Sequence, residues 1–299
     1  MKETVMRKRL RTAILAAAAA GALLASPMAS IASADTPPVL IDDSAALVAA
    51  QHEIIDQLNA IGWPDEDADN FYPGAAGHTD TTTGTVTFGT VGSPTSYQVE
   101  AKCAAFLTAS LKHAYSWATD SYFTSTFGST SPTAEKYYDT FLANPASLSP
   151  HFRPTGQGRV TDLAVGSIIA VRYNNGTEDG ASGHVMVVSQ APRLVADSRN
   201  TDSGSSVYAV RVMDSTGNPH GVATTWNKSP HWAYKDSRVE GVQGGTSVKE
   251  WSGAGEGTVF IRANNSTGLP NGYWWGANEG VMNTSADRPM TFMDVTRAQ

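Results

Sequence analysis

The sequence predicts an α+β fold in which a cysteine-bearing helix packs on an antiparallel β-sheet, with an N-terminal helical lead and a tryptophan-rich β C-terminal part. Three observations carry that expectation. Apolar residues recur at helical spacing over residues 43 to 61 and 100 to 117. Runs rich in β-branched residues follow Pro154, separated by Gly, Asn, Asp and Ser. Five of the seven tryptophans lie beyond His220.

Residues 1 to 34 read as a signal peptide: Lys2, Arg7, Lys8, Arg9 and Arg11, an apolar run from Ala13 to Ala25, then Ala32-Ser33-Ala34 as a peptidase site. The run is shorter than the roughly 20 residues a spanning helix needs. A secreted, extracytoplasmic protein with no membrane contact after cleavage is expected. With residues 1 to 34 set aside, 16 Lys and Arg face 27 Asp and Glu, a net charge of −11. Nucleic acid is thereby excluded as a partner, because its binding rests on cations that neutralise phosphates. A monomer is expected.

A lead of residues 35 to 94 begins with an amphipathic helix over 43 to 61, which places Leu47, Ile54, Leu58 and Ile61 on one side and stops at Gly62 and Pro64. Whether residues 35 to 60 are a removable pro-segment is left open by the sequence. Asp65 to Asn70 form an acidic cluster without the spacing of an EF-hand loop, and read as a solvated loop with calcium as the lesser alternative. Residues 79 to 97 alternate as a hairpin does.

The helix from about Glu100 to Trp117 carries Cys103 in its first turn and Phe106, Leu107, Leu111 and Ala114 on the same side. A second helix is expected from Ser131-Pro132 to about Asn144. Strands are expected at Ser167 to Tyr173, His184 to Ser189, Val207 to Met213 and Thr258 to Arg262, with a long loop over 190 to 206.

Cys103 is the only cysteine, so it has no partner for an internal disulfide. At a helix N-terminus a thiol is favoured as thiolate, and the unpaired backbone N–H groups there can also bind the oxyanion formed on carbonyl attack. His184, at the start of a rigid strand after Ala181-Ser182-Gly183, is the expected base; Asp214, on the next strand, is the expected residue that fixes its tautomer. His220 is the best substitute for His184. Tyr97 and Gln98 are candidate oxyanion donors because the chain there leads into the cysteine helix. Trp251, Trp274 and Trp275 are candidates for a substrate cleft. This chemistry requires neither metal nor cofactor, and none is expected.

Lys102-Cys103-Ala104-Ala105-Phe106-Leu107, Leu163-Ala164-Val165-Gly166-Ser167-Ile168-Ile169 and Gly183-His184-Val185-Met186-Val187-Val188 together resemble the NlpC-type and CHAP-type papain-like hydrolases of bacterial cell walls. The resemblance covers about residues 95 to 215. It implies a papain-like catalytic domain, here residues 95 to 299 with a C-terminal extension, and cleavage of amide bonds in peptidoglycan peptides or another peptide. Two alternatives remain: acyl transfer to an amine, as in transglutaminases, and a non-catalytic wall-binding module on the same scaffold.

Overall fold

Val185, Met186, Val187 and Val188 are all buried, although neighbours along a strand point to opposite faces. A sheet covered on both sides explains that run. Val185 and Val187 join the cluster that includes Phe106, Leu107, Tyr137 and Phe141 from the helices. Met186 and Val188 join Val210, Val212, Val259, Ile261 and Tyr273 on the other face.

The computed structural model describes residues 39–79, 84–143, 145–174, 176, 181–221, 231–245 and 247–299. The expected signal peptide and Trp226 lie outside them. In chain order the elements are β1 (Leu40–Asp42), α1 (Ala45–Asn59), β2 (Asn70–Phe71), β3 (Thr85–Thr87), β4 (Gln98–Glu100), α2 (Cys103–Ala114), α3 (Asp120–Phe127), α4 (Ala134–Ala143), β5 (Phe152–Pro154) and β6 (Ile168–Arg172). There follow β7 (Gly183–Val195), β8 (Ser205–Thr216), β9 (Val239–Glu240), β10 (Lys249–Glu250), β11 (Gly253–Asn264), β12 (Pro270–Trp274), β13 (Asn283–Thr284) and β14 (Met290–Ala298).

The class is α+β. The main sheet runs β1-β14-β6-β7-β8-β11-β12-β13 with β5 also on β14, and every pairing in it is antiparallel. A small sheet, β2-β4-β3, leads into α2. The cysteine helix packs on β7 and β8.

Several expectations are corrected. The helical lead packs on the rest of the chain, where Leu47, Ile54 and Leu58 of α1 are fully buried in the cluster shared with α2, and β1, which the sequence did not suggest, pairs with β14. The cysteine helix is shorter than expected, since Gln98–Glu100 is strand and Tyr115 already extended. Of the hairpin over 79 to 97, residues 80–83 are not described; Thr85–Thr87 pairs with Gln98–Glu100, and Thr90 to Ser93 form a turn. The second expected helix starts after Ser131-Pro132, at Ala134, where Thr133 Oγ1 accepts the N–H of Lys136.

A helix the sequence reading missed, α3, is bounded by Thr119, whose hydroxyl accepts the Tyr122 N–H, and by Gly128 at φ 76°. β7 and β8 run on to Val195 and back from Ser205, so residues 196 to 204 form the connection in place of a loop over 190 to 206. The strand expected at Thr258 begins five residues earlier, at Gly253. Three glycines, at 253, 255 and 257, hid it from a reading that looked for β-branched residues.

Candidate active site

Cys103 is the first residue of α2, after Lys102 in extended conformation (φ −73°, ψ 160°). The backbone N–H groups of that first turn have no partner within the helix, so the sulfur stands at its positive end. The thiol is 3% exposed and lines a cavity of about 190 Å³ together with Lys102, Ala105, Thr133, Ser182 and Gly183.

His184 is aimed at the thiol by a tight junction. A Cβ on Gly183 would lie 2.2 Å from the Val171 carbonyl oxygen and 3.3 Å from the Cβ of Ala134, so only glycine lets β7 start this close to β6 and α4. The Cys103 side chain lies close enough to the His184 ring to raise its pKa. Its Nε2 lies 2.6 Å from Asp214 Oδ2, which leaves Nδ1 for the sulfur. The sheet register of β7 and β8 ends at Val187 opposite Met213, and beyond it the two strands are linked through these side chains. The structure therefore brings Cys103, His184 and Asp214 together, in the expected order.

Burial would lower the pKa of His184, but the electrostatic influence of the neighbouring Cys103 and the contact with Asp214 outweigh it and raise it from 6.5 to about 10. The imidazole is thus held as a cation beside the sulfur. Asp214 is 1% exposed. Burial alone would raise its pKa; His220 and Arg238 nearby, and hydrogen bonds from His184 and His220, hold it well below the ordinary 3.8.

Beneath the triad lies a second layer of buried charge. His220 Nε2 is 3.0 Å from Asp214 Oδ2, and Arg238 donates from NH1 to Asp214 Oδ1 at 2.9 Å. Arg238 also donates to Asp236 through Nε and NH2, each at 2.8 Å, and Asp236 Oδ2 accepts the backbone N–H of His220 at 2.9 Å. β11 makes room for this layer by lacking side chains. A Cβ on Gly255 would lie 2.8 Å from Arg238 Nε, and one on Gly257 would lie 2.3 Å from Asp236 Oδ2 and 2.4 Å from His220 Cδ2. His220 is thus a neighbour of the triad, not a substitute base.

Trp275 covers both histidines, edge-on to His184 with centroids 4.9 Å apart and tilted on His220 at 4.3 Å. It also lines a cavity of about 430 Å³ that reaches His184 and includes Tyr72, Tyr173, Asn218, Glu250 and Arg288. Tyr72 and Ala181 line both cavities, so the two are neighbours, one at the imidazole and one at the thiol.

Other candidates do other work. Tyr97 is fully buried, and its hydroxyl donates to Glu53 Oε1 at 2.8 Å; the Gln98 amide donates to Glu100 Oε1 at 2.6 Å. Neither lines either cavity, and each side chain is engaged with a glutamate. Trp251 stacks on Trp63 at 5.2 Å, and Trp274 is a core residue under the Arg199 guanidinium. Of the three tryptophans only Trp275 faces the site.

In the acidic cluster, Glu66 and Asn70 point inward: Asn70 bonds Glu66 Oε1 at 2.7 Å and both backbone groups of Ala254. Among the described residues no three His, Cys, Asp or Glu side chains converge as a metal site. Nor is any helix among them long and apolar enough to cross a membrane.

His220 and Tyr72 carried no sequence pattern tying them to the thiol, but two signals for the second layer were available. Gly255 and Gly257, two apart on one strand, mark a face stripped of Cβ atoms, and Asp236-x-Arg238 supplies the pair that fills it. Set against protein-family models, curated proteins and solved structures, the chain matches none of them.

Proposed function

We propose that this protein is an exported cysteine amidohydrolase or peptidase of papain-like design. The observation that carries the reading is the placing of Cys103 at a helix start beside His184 on β7, whose ring is in turn held by Asp214 on β8. In the proposed reaction the Cys103 thiolate attacks an amide carbonyl, forming a C–S bond and an oxyanion that first-turn N–H groups of α2 stabilise. His184 gives its proton to the leaving nitrogen as the C–N bond breaks. Water then attacks the thioester with His184 as base, and the carboxylic product leaves as the thiol is restored.

The two neighbouring cavities support a substrate that extends to both sides of the scissile bond. The thiol lines one and the imidazole the other, which suits an acyl group beside Cys103 and a leaving amine beside His184. Peptides of peptidoglycan are the substrate we favour, on the resemblance of the Cys103 and His184 segments to wall hydrolases. The separate cavity at His184 also favours a second reading, transfer of the acyl group to an amine.

Digestion of purified peptidoglycan by wild type and Cys103→Ala tests the proposal, with new amino groups counted as bonds break. Wild type is expected to release them and the variant not. Equal release, or tight wall binding by wild type with no bond cut, contradicts it. An added primary amine that becomes incorporated into product would establish transfer instead of hydrolysis.

A further inference from the structure

His220 is fully buried, and both of its ring nitrogens face atoms that only accept hydrogen bonds. Nδ1 is 2.9 Å from the Trp275 carbonyl oxygen and Nε2 is 3.0 Å from Asp214 Oδ2. A neutral imidazole has one N–H and can satisfy only one of them; an imidazolium satisfies both. Charged groups surround the ring. Asp214 and Asp236 are the carboxylates that face it, and Arg238 and the His184 ring are the cations. Arg238 bonds both carboxylates, and the His220 ring meets Asp214 on the oxygen that also receives His184.

We infer that His220, as an imidazolium, is the positioning residue of the triad: with Arg238 it pins the Asp214 carboxylate so that Oδ2 receives His184 Nε2. The fold is shaped for this. His220 could not sit here if Gly257 bore a Cβ, and a Cβ on Gly276 would lie 2.3 Å from the His220 carbonyl carbon. Trp275 closes the layer from the cavity side through contact with both rings. Asp214 accepts from three cationic donors, so its role is to aim His184 while its own proton affinity is suppressed. His220 touches neither substrate nor sulfur and moves no proton in the reaction.

The inference rests on the thiol–imidazole reading above for its consequence in turnover, and on hydrogen bonding alone for the state of the ring. Nitrogen-15 NMR of histidine-labelled protein, with His220 assigned through His220→Gln, reads that state without activity. At pH 7 both His220 nitrogens are expected at the shifts of protonated imidazolium; one protonated and one bare nitrogen overturns the inference. Turnover supplies the second arm. His220→Ala is expected to lower kcat by about 10-fold to 100-fold, the scale seen when an outer partner of a functional imidazole is removed in metal sites, with KM little changed. His220→Gln, which keeps an N–H for Asp214, is expected to recover part of that loss. A folded His220→Ala with wild-type kcat overturns the positioning role, and if His220→Ala does not fold, the NMR result on wild type decides. A wild type that cuts no amide, yet shows the imidazolium, contradicts the proposed function and leaves the ring's state established.

Discussion

Asp214 is the residue on which most of the site's electrostatics converge. It accepts from His184, His220 and Arg238, all of them out of water. Removing one partner from a buried set of charges leaves the others unpaired, which costs about 3 to 5 kcal/mol. Asp214→Asn is therefore expected to lose stability on that scale, as well as activity, in guanidinium unfolding; a loss under about 1 kcal/mol would contradict the shared-charge description. Glu66 gives a pH-dependent counterpart. Burial raises its pKa from 4.5 to about 7, against the lowering influence of Asn70 and Arg238. The folded state thus holds a proton that the unfolded chain has released, so stability from this group is full below pH 4.5 and fades as pH rises through about 7. His184, raised from 6.5 to about 10, acts with the same sign in the next window. Glu66→Gln is expected to leave unfolding at pH 4 unchanged and to raise stability at pH 8; equal denaturation midpoints for variant and wild type at pH 8 would show that the buried carboxyl does not titrate this way.

At the scale of elements, β11 decides whether the site has a floor. Its glycines weaken it as a strand, yet their missing side chains are what admit Arg238, Asp236 and His220. Gly257→Ala would place a carbon 2.3 Å from Asp236 Oδ2, and a displaced Asp236 would release the His220 backbone as well. We expect it to cost about 1 to 3 kcal/mol, the usual penalty of overpacking, and to reduce turnover with it. Gly280→Ala, where no neighbour lies within 4 Å, is the control expected to behave as wild type. Matching melting temperatures and rates for both variants would show that the glycine trough is incidental. The cysteine helix has the complementary role: its side facing β7 and β8 is anchored by Phe106, Leu107 and Leu111, so the sulfur at its first residue is held by a rigid body.

Across the whole molecule, the N-terminal lead and the part that carries the candidate site are one folded unit from Pro38 to Gln299. Leu47, Ile54, Ile55 and Leu58 of α1 are buried among residues of α2 and the sheet. Each such side chain is worth about 2 kcal/mol on burial, and together they rival the 5 to about 15 kcal/mol net stability of a domain. A chain beginning at Ile61 is expected to show no cooperative unfolding, by circular dichroism and heat. A folded, active truncation would instead make residues 35 to 60 a removable pro-segment. The packing of α1 could be read from its amphipathic spacing, but the pairing of β1 with β14 could not, because the two strands are far apart in sequence. Local pattern did show the Cys103 helix, the three central strands and the order of thiol, imidazole and carboxylate, since each is written in a short window. Tyr97 was misplaced because proximity in sequence to Cys103 says nothing about which way a ring on the small sheet turns; it turns to Glu53. His220 was seen only as a spare base, because its partner Asp236 and the glycines that make room for it come 16 or more residues later.

The central claim is that His184 activates the Cys103 sulfur, and the most direct measurement is the rate of Cys103 alkylation by a small haloacetamide at pH 6, followed by mass spectrometry. Wild type is expected to react faster than free cysteine, and His184→Ala to lose that advantage. A wild-type rate no faster than free cysteine, or one that His184→Ala leaves unchanged, would contradict the account.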